Sequence, residues 1–258
     1  MLRFDDGAGY ERTMGTWSRL AGEIFLDWLA PPQGLRWIDI GCGNGAFTEL
    51  LFDRCAPIEV HGLDPSEGQL AFARARLATR GAAFCKGDAM ALPYPERRFD
   101  AAVMALVIVF VPDPVKGVAE MIRVVRPGGT VATYVWNMLE GGFPLEPILA
   151  EMRAIGANPP SPPQPNASRI TTLQDLWTGA GLNKVETREI TVQRTFTGFD
   201  DFWLTNLASP SVAPIIPGLT SREVKTLKNR VRAGLSTESG GHIVLSARAN
   251  LIKGSVPR

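Results

Sequence analysis

Residues Trp37–Phe47 read WIDIGCGNGAF. An apolar run carrying Asp39 ends at Ile40, and glycines follow at positions 41, 43 and 45. Glycine weakens regular structure, so this density at a strand end marks a place where a ligand approaches the backbone. Gly41-x-Gly43-x-x-Ala46 also satisfies a dinucleotide fingerprint, because alanine is allowed at its third glycine position. The stretch predicts a binding loop between a strand and a helix and leaves the ligand open.

Strand and helix patterns alternate outward from this loop. LRWIDIG reads as a first strand, followed by a helix over about 46–54. PIEVHGLD is a second strand, and a helix follows from Glu67 to about Thr79, with Ser66 and Gln69 as a capping box. AAFCKGD and FDAAVMALVIVF are a third and a fourth strand. The apolar run from Ala101 to Val111 is too short to span a bilayer and reads as a strand buried on both faces. DPVKGVAEMIRVVR is a helix closed by Pro127–Gly129, and TVATYVWN is a fifth strand. This alternation predicts an α/β fold, a parallel sheet with helices on both faces.

The second half is less regular. GANPPSPPQP, residues 156–165, holds five prolines and predicts an extended loop. TTLQDLWTGAGL is an amphipathic helix, KVETREITVQRTF a long alternating strand and HIVLSARANLI a last strand. Residues 199–234 read as mainly helical, broken by Pro210, Pro214 and Pro217. Sheet strands on both sides of the proline loop argue for one domain over 1–258, with cap elements at 1–30, 138–170 and 196–240.

Composition narrows the function. The chain has 258 residues, is 45% hydrophobic and 21% charged, and carries a net charge of +1. No basic footprint for nucleic acid stands out, and 225–232 reads as the solvated face of a helix. Cys42, Cys55 and Cys85 form neither a disulfide framework nor a metal-ligand spacing, which points to a reducing, cytoplasmic home. The N-terminal stretch MLRFDDGAGYER has no apolar signal core. His61 and His242 lie outside any metal-ligand spacing, so no metal site is expected.

Ligands of open α/β sheets bind beyond the carboxyl ends of the strands. Three acids fall there: Asp39, Asp64 ending the second strand and Asp88 ending the third. Asp64 stands where a carboxylate can accept from both hydroxyls of an adenosine ribose. Asp39 directly precedes the loop and suits a cationic amino group better than a pyrophosphate. Asp88 can accept from an adenine amine, with Ala89 and Met90 completing a base slot. A nicotinamide enzyme and a methyltransferase both remain compatible with Asp64 and the glycines alone.

Taken in order, DIGCGNG, Asp64, Asp88 and RPGG resemble the class I S-adenosylmethionine-dependent methyltransferase family. YERTMGTWSRLA, LVIVFVPDP, YVWN, GFDDFW and ARANLIKGSVP extend the likeness to a bacterial small-molecule methyltransferase-like subgroup. The resemblance implies a Rossmann-like sheet of seven strands, mostly parallel with an antiparallel last strand, under a helical cap. It implies S-adenosylmethionine as cofactor, held by Asp39, Gly41, Cys42, Gly43, Gly45, Asp64, Pro65, Asp88, Ala89, Met90, Ala105 and Tyr10. It names no catalytic residue. Thr16, Val109 and Asn137 depart from the subgroup, which carries Arg, Asn and Asp there; the first bears on a clamp for the cofactor carboxylate, the others on substrate and base.

The fourth strand ends without the Asn/Asp-Pro-Pro-aromatic motif of amino-directed relatives. That leaves O-, C- or S-methylation of a small, fairly apolar molecule, with neither nucleic acid nor membrane as partner. Apolar residues of 199–207, with Val107 and Val109, are expected to wall the pocket, with Asn137 as a polar anchor. Trp17, Trp136 and Trp203 lie in segments that can border it. The rival readings are a non-catalytic S-adenosylmethionine-binding module and a nicotinamide oxidoreductase.

Overall fold

The structure, a computed structural model, describes residues 9, 11–236 and 240–258. Tyr10 lies outside the described residues. Seven strands form one sheet: β1 (Arg36–Ile40), β2 (Glu59–Asp64), β3 (Ala83–Lys86), β4 (Phe99–Ala105), β5 (Val125–Trp136), β6 (Asn183–Phe196) and β7 (Ile243–Ser255). Their order is β3-β2-β1-β4-β5-β7-β6. β1 to β5 pair in parallel, and β7 runs antiparallel to both of its neighbours. The order reverses beside β1, between β1 and β4, where doubly wound sheets open a crevice for ligands.

The helices are α1 (Thr16–Leu29), α2 (Ala46–Cys55), α3 (Glu67–Arg76), α4 (Pro114–Val124), α5 (Glu146–Ala154), α6 (Ile170–Gly179), α7 (Phe199–Leu207) and α8 (Ser221–Gly234). A π-helical turn, Glu11–Gly15, precedes α1. Alternation along the central strands divides the core between the two sheet faces. Trp37, Val103 and Tyr134 join one cluster with Trp17, Phe25 and Leu50 of α1 and α2. Ile38, Met104 and Val135 join the other with Met121 of α4 and Trp177 of α6. Trp177 is fully buried, and its Nε1 donates to the Val131 carbonyl at 3.0 Å. The ring thus packs both apolar surface and a satisfied polar edge into the sheet.

Two expectations change. The fourth strand stops at Ala105 rather than running to Phe110. Leu106 takes a φ of 64°, and Ile108–Phe110 turn into a 3-10 helix. The Leu106 N–H donates to the Tyr134 carbonyl at 2.8 Å, which holds the bent chain to β5. Residues 199–207 are not a pocket roof. Phe202 and Trp203 are buried in the core cluster with Leu227 and Val231 of α8, and Leu204 is exposed.

Candidate functional site

The glycine loop lies against β2. Gly41, Gly43 and Gly45 have φ of 74°, 53° and 79°, a region that only glycine enters readily. The Gly41 and Cys42 N–H groups both donate to the Leu63 carbonyl, at 2.6 and 3.0 Å. The Gly43 N–H donates to Asp64 Oδ2 at 2.9 Å, and the Ser66 N–H to Asp64 Oδ1 at 2.8 Å. Three consecutive N–H groups are therefore directed to β2. A pyrophosphate cradle needs such groups turned toward the ligand.

Beyond the loop is a cavity of about 530 Å³. That volume is within the roughly 300–1,000 Å³ typical of small-molecule sites. Its walls include Asp39, Gly41, Cys42, Gly43, Asn44, Asp64, Pro65 and Ser66 on the loop side. Ala105, Leu106, Val107 and Phe110 come from the bent end of β4, and Ser18, Phe47, Gln69 and Tyr134 from flanking elements. Among the described residues two carboxylates face this space and no Lys, Arg or His lines it. Such a lining suits a cation and opposes a pyrophosphate.

Asp39 is the most unusual wall residue. It is fully buried, and Thr48 Oγ1 donates to its Oδ2 at 2.7 Å. Its Oδ1 has no partner among the described residues. Burial pushes its carboxyl up to about 7; Thr48 opposes that shift and the neighbouring Asp64 adds to it. An acceptor left bare beside a cavity is matched by an ammonium group entering it. Burial likewise holds the Cys42 thiol well above its ordinary range, so this side chain fills space and its nucleophilicity is suppressed.

The remaining expected contacts are placed elsewhere. Gly45 is absent from the wall; a Cβ there would sit 3.1 Å from that of Ala73, so its role is close packing on α3. Asp88, Ala89 and Met90 stand at the end of β3, where the Gly87 N–H donates to the Asp64 carbonyl at 3.2 Å. They do not line the cavity, and Asp88 Oδ1 accepts from the Met90 N–H at 2.8 Å. Thr16 is exposed and off the wall. Asn137 is also off both cavity walls: its Nδ2 donates to Glu140 and Glu189, which anchors β5 to its surroundings. His61 is held by Glu59 and Tyr94, away from either cavity. Among the described residues no group of His, Cys, Asp and Glu is arranged to hold a metal.

Ser18, Asn44, Gln69 and Tyr134 were not legible as wall residues in the sequence. Their elements reach the cavity only through tertiary packing. Asn44 is partly signalled by its place inside the glycine loop. Its Nδ2 donates to Glu11 at 2.8 Å, and Glu11 also receives Arg76 of α3 at 2.9 Å. Burial would raise the Glu11 carboxyl, but Arg76 and Asn44 outweigh it and hold the group below its usual range. The N-terminal turn is thereby strapped to the loop.

A second cavity of about 140 Å³ adjoins the first through shared walls at Leu106, Phe110 and Ser161. It is mainly apolar, with Met14, Val109, Trp136, Phe143 and Leu149. Its cover is the proline loop at 159–165 and the turn Ser209–Ser211, which replaces the helix face expected there. Gln164 pins the proline loop to the 3-10 turn that follows β4, its N–H donating to the Val109 carbonyl at 3.0 Å.

Comparison with known proteins agrees with this geometry. The family described as methyltransferase domain matches residues 38–133. Residues 38–133 carry a methyltransferase domain, on the strand order of the class I S-adenosylmethionine-dependent fold. Over 95 residues this domain is 42% identical to 2-methyl-6-phytyl-1,4-hydroquinone methyltransferase 2, chloroplastic, of Oryza sativa subsp. japonica, covering 37% of this chain and 27% of that one. Over 125 residues it is 32% identical to the ubiquinone/menaquinone biosynthesis C-methyltransferase UbiE of Roseobacter denitrificans, covering 47% and 50%. The chain thus spans half or less of the length of these relatives.

The methyltransferase fold itself extends further. The YcgJ protein of Bacillus subtilis superposes with a TM-score of 0.60 at 16% identity, over 92% of this chain and 98% of that one. Phosphoethanolamine N-methyltransferase 2 of Haemonchus contortus, solved with S-adenosyl-L-methionine, gives 0.60 at 16% identity, over 98% and 57%. Among the described residues of the domain and its surroundings, no helix is long and apolar enough to cross a membrane.

Proposed function

We propose that this protein transfers the methyl group of S-adenosylmethionine to a small, neutral, apolar acceptor of the quinone or hydroquinone type. The carrying observation is the pairing of the two cavities. Among the described residues the larger one presents two carboxylates and no cationic side chain, and the smaller, mainly apolar one shares part of its wall. One relative is named for a hydroquinone and the other for ubiquinone and menaquinone biosynthesis, which supports this acceptor class.

The cofactor, when bound, supplies a methyl group already activated by the sulfonium. The chain's residues hold and align. Asp39 Oδ1 would receive the amino group, and the Asp64 carboxylate the ribose hydroxyls, since each carboxylate oxygen can accept more than one hydrogen bond. Leu106, Phe110 and the proline loop keep water from the line between methyl and acceptor. With the cofactor bound, these residues would hold an acceptor in line with the activated methyl group, and S-adenosylhomocysteine and a proton would be released with the methylated product. We further propose that the whole chain, 1–258, is one catalytic domain whose cap is the N-terminal turn, the proline loop and the turn at 209–211, and that its acceptor is neither nucleic acid nor membrane lipid.

The test is release of S-adenosylhomocysteine from S-adenosylmethionine on addition of substituted hydroquinones. Turnover with at least one such ring supports the reading. Tight cofactor binding with no release across the series would favour the non-catalytic module instead.

A further inference from the structure

β6 closes one side of the sheet, and among the described residues no strand pairs with its outer edge. It is 14 residues long, whereas the opposite edge strand, β3, has 4. The backbone groups on that edge can be assigned. Arg248 of β7 donates its N–H to the Gly142 carbonyl and accepts the Asn137 N–H, both at 2.9 Å, so both of its groups turn away from β6. Thr191 is directly opposite Arg248. Antiparallel partners alternate between pairs bonded to each other and pairs turned apart. Thr187, Glu189, Thr191, Gln193 and Thr195 therefore direct their N–H and C=O groups past the edge of the sheet. Protected edges carry Pro, Lys or a bulge. Here the bulge falls between Asn183 and Glu186, and no Pro, Gly or Lys occurs from Val185 to Phe196. Such a run of open backbone groups is a template for another strand.

Charge decides which strand. Glu186, Arg188, Ile190, Val192 and Arg194 share one face of β6. Arg194 is half-buried, and its Nη1 donates to the Thr13 carbonyl at 3.1 Å. Among the described residues it makes no ion pair, and burial lowers its pKa against a weaker pull from Asp201. This guanidinium lacks a carboxylate. A copy of β6 laid antiparallel on the first, with the two-fold axis at Ile190, puts Glu186 of each copy opposite Arg194 of the other. Moving the axis to Thr191 sets Arg188 against Arg194, and moving it to Glu189 sets that acid against itself. With the axis at Ile190, Arg188 of the second copy stands opposite Val192. Val192 borders a groove of about 400 Å³ formed with Leu20, Glu23 and Ile24 of α1, and Glu23 is the charged residue of that wall. We propose that this protein forms a two-fold dimer through β6, in which the sheets of two copies join antiparallel at Ile190 and Glu186 pairs with Arg194 in both directions. No residue of β6 lines either cavity of the methyl-transfer site, so cofactor binding does not depend on the contact.

Sedimentation velocity over a concentration series, with thermal melts and S-adenosylhomocysteine titration on each variant, tests the dimer. Wild type should sediment as a dimer at micromolar concentration. Thr191→Pro removes an outward N–H and spares the ladder to β7, so it should be a folded monomer that still binds S-adenosylhomocysteine. Glu186→Arg and Arg194→Glu should each weaken the dimer by about tenfold or more, because symmetry breaks the pair twice. Combining the two exchanges the charges and should restore it. A monomeric wild type, or a folded Thr191→Pro that remains dimeric, would overturn the β6 contact. Should Thr191→Pro fail to fold, the charge series decides alone: single variants as dimeric as wild type, or a double variant as weak as either single one, would overturn the pairing at Ile190.

Discussion

Asp64 and Gly43 are joined by a 2.9 Å hydrogen bond from the Gly43 N–H to Asp64 Oδ2, across 21 residues of chain. The carboxylate at the end of β2 therefore shapes the glycine loop as well as facing the cavity. Asp64→Ala should weaken S-adenosylhomocysteine binding by about 1.5–3 kcal/mol or more, because a ligand contact and the loop tether are lost together. Asp64→Asn retains one acceptor oxygen and should lose less. Calorimetry showing the two variants equal to wild type would remove Asp64 from the site.

Gly41 and Gly43 separate packing from strain. A Cβ on Gly41 would lie 2.5 Å from a Val107 methyl, so Gly41→Ala must displace Val107, just past β4, and distort the larger cavity. On Gly43 a Cβ meets nothing nearer than Gln69 Oε1 at 3.9 Å, and the main penalty is its φ of 53°. That conformation costs an L-residue about 1–2 kcal/mol. Gly43→Ala should fold with a modestly lowered Tm, and Gly43→Val should fold but lose cofactor affinity. Thermal melts and cofactor titration on the three variants check the order.

Asp39 should make binding and stability respond to pH in opposite directions. Its carboxyl titrates at about 7 in the folded protein, above its ordinary value of 3.8. The raised value means that its stabilising protonated form is fully present below the unfolded pKa. That contribution is lost as pH rises through about 7. The ligand-free protein should thus lose stability between about pH 4 and 7 through this group, and affinity for an ammonium-bearing ligand should rise over the upper part of that range. Asp39→Asn should flatten both profiles and weaken binding. Wild-type affinity independent of pH from 6 to 8 would contradict the assignment.

Glu11 ties the N-terminal turn to Asn44 and Arg76. Glu11→Gln should speed cofactor dissociation, with a loss of about 1 kcal/mol or less, because this network is partly exposed and screened. Stopped-flow release at two salt concentrations would show whether the strap acts, since a charge-based strap must weaken with salt.

Much of this architecture was legible because its signals are local. Alternation between short apolar runs and amphipathic segments predicts the sheet, and the glycines with Asp39 and Asp64 mark the crevice. The end of β4 was not legible, because its bend at Leu106 depends on a hydrogen bond to Tyr134 in a neighbouring strand. The cap was misread for a related reason. Phe202 and Trp203 are apolar enough for a substrate wall, yet they are buried in the core cluster, with Phe202 edge to face on Phe196 of β6, a contact made only in the folded chain. Asn137 reads as an anchor by sequence position, but Glu140 and Glu189 occupy its amide nitrogen.

The proline loop over the smaller cavity has an entropic consequence. Pro159, Pro160, Pro162, Pro163 and Pro165 restrict φ in the unfolded chain as well as in the folded one. Gln164 adds two hydrogen bonds that moor the segment to Val109 and Pro112. A cover so stiff loses little further freedom when a guest enters. Affinity for a rigid ring should therefore depend on the fit of that ring and not on the ordering of a lid.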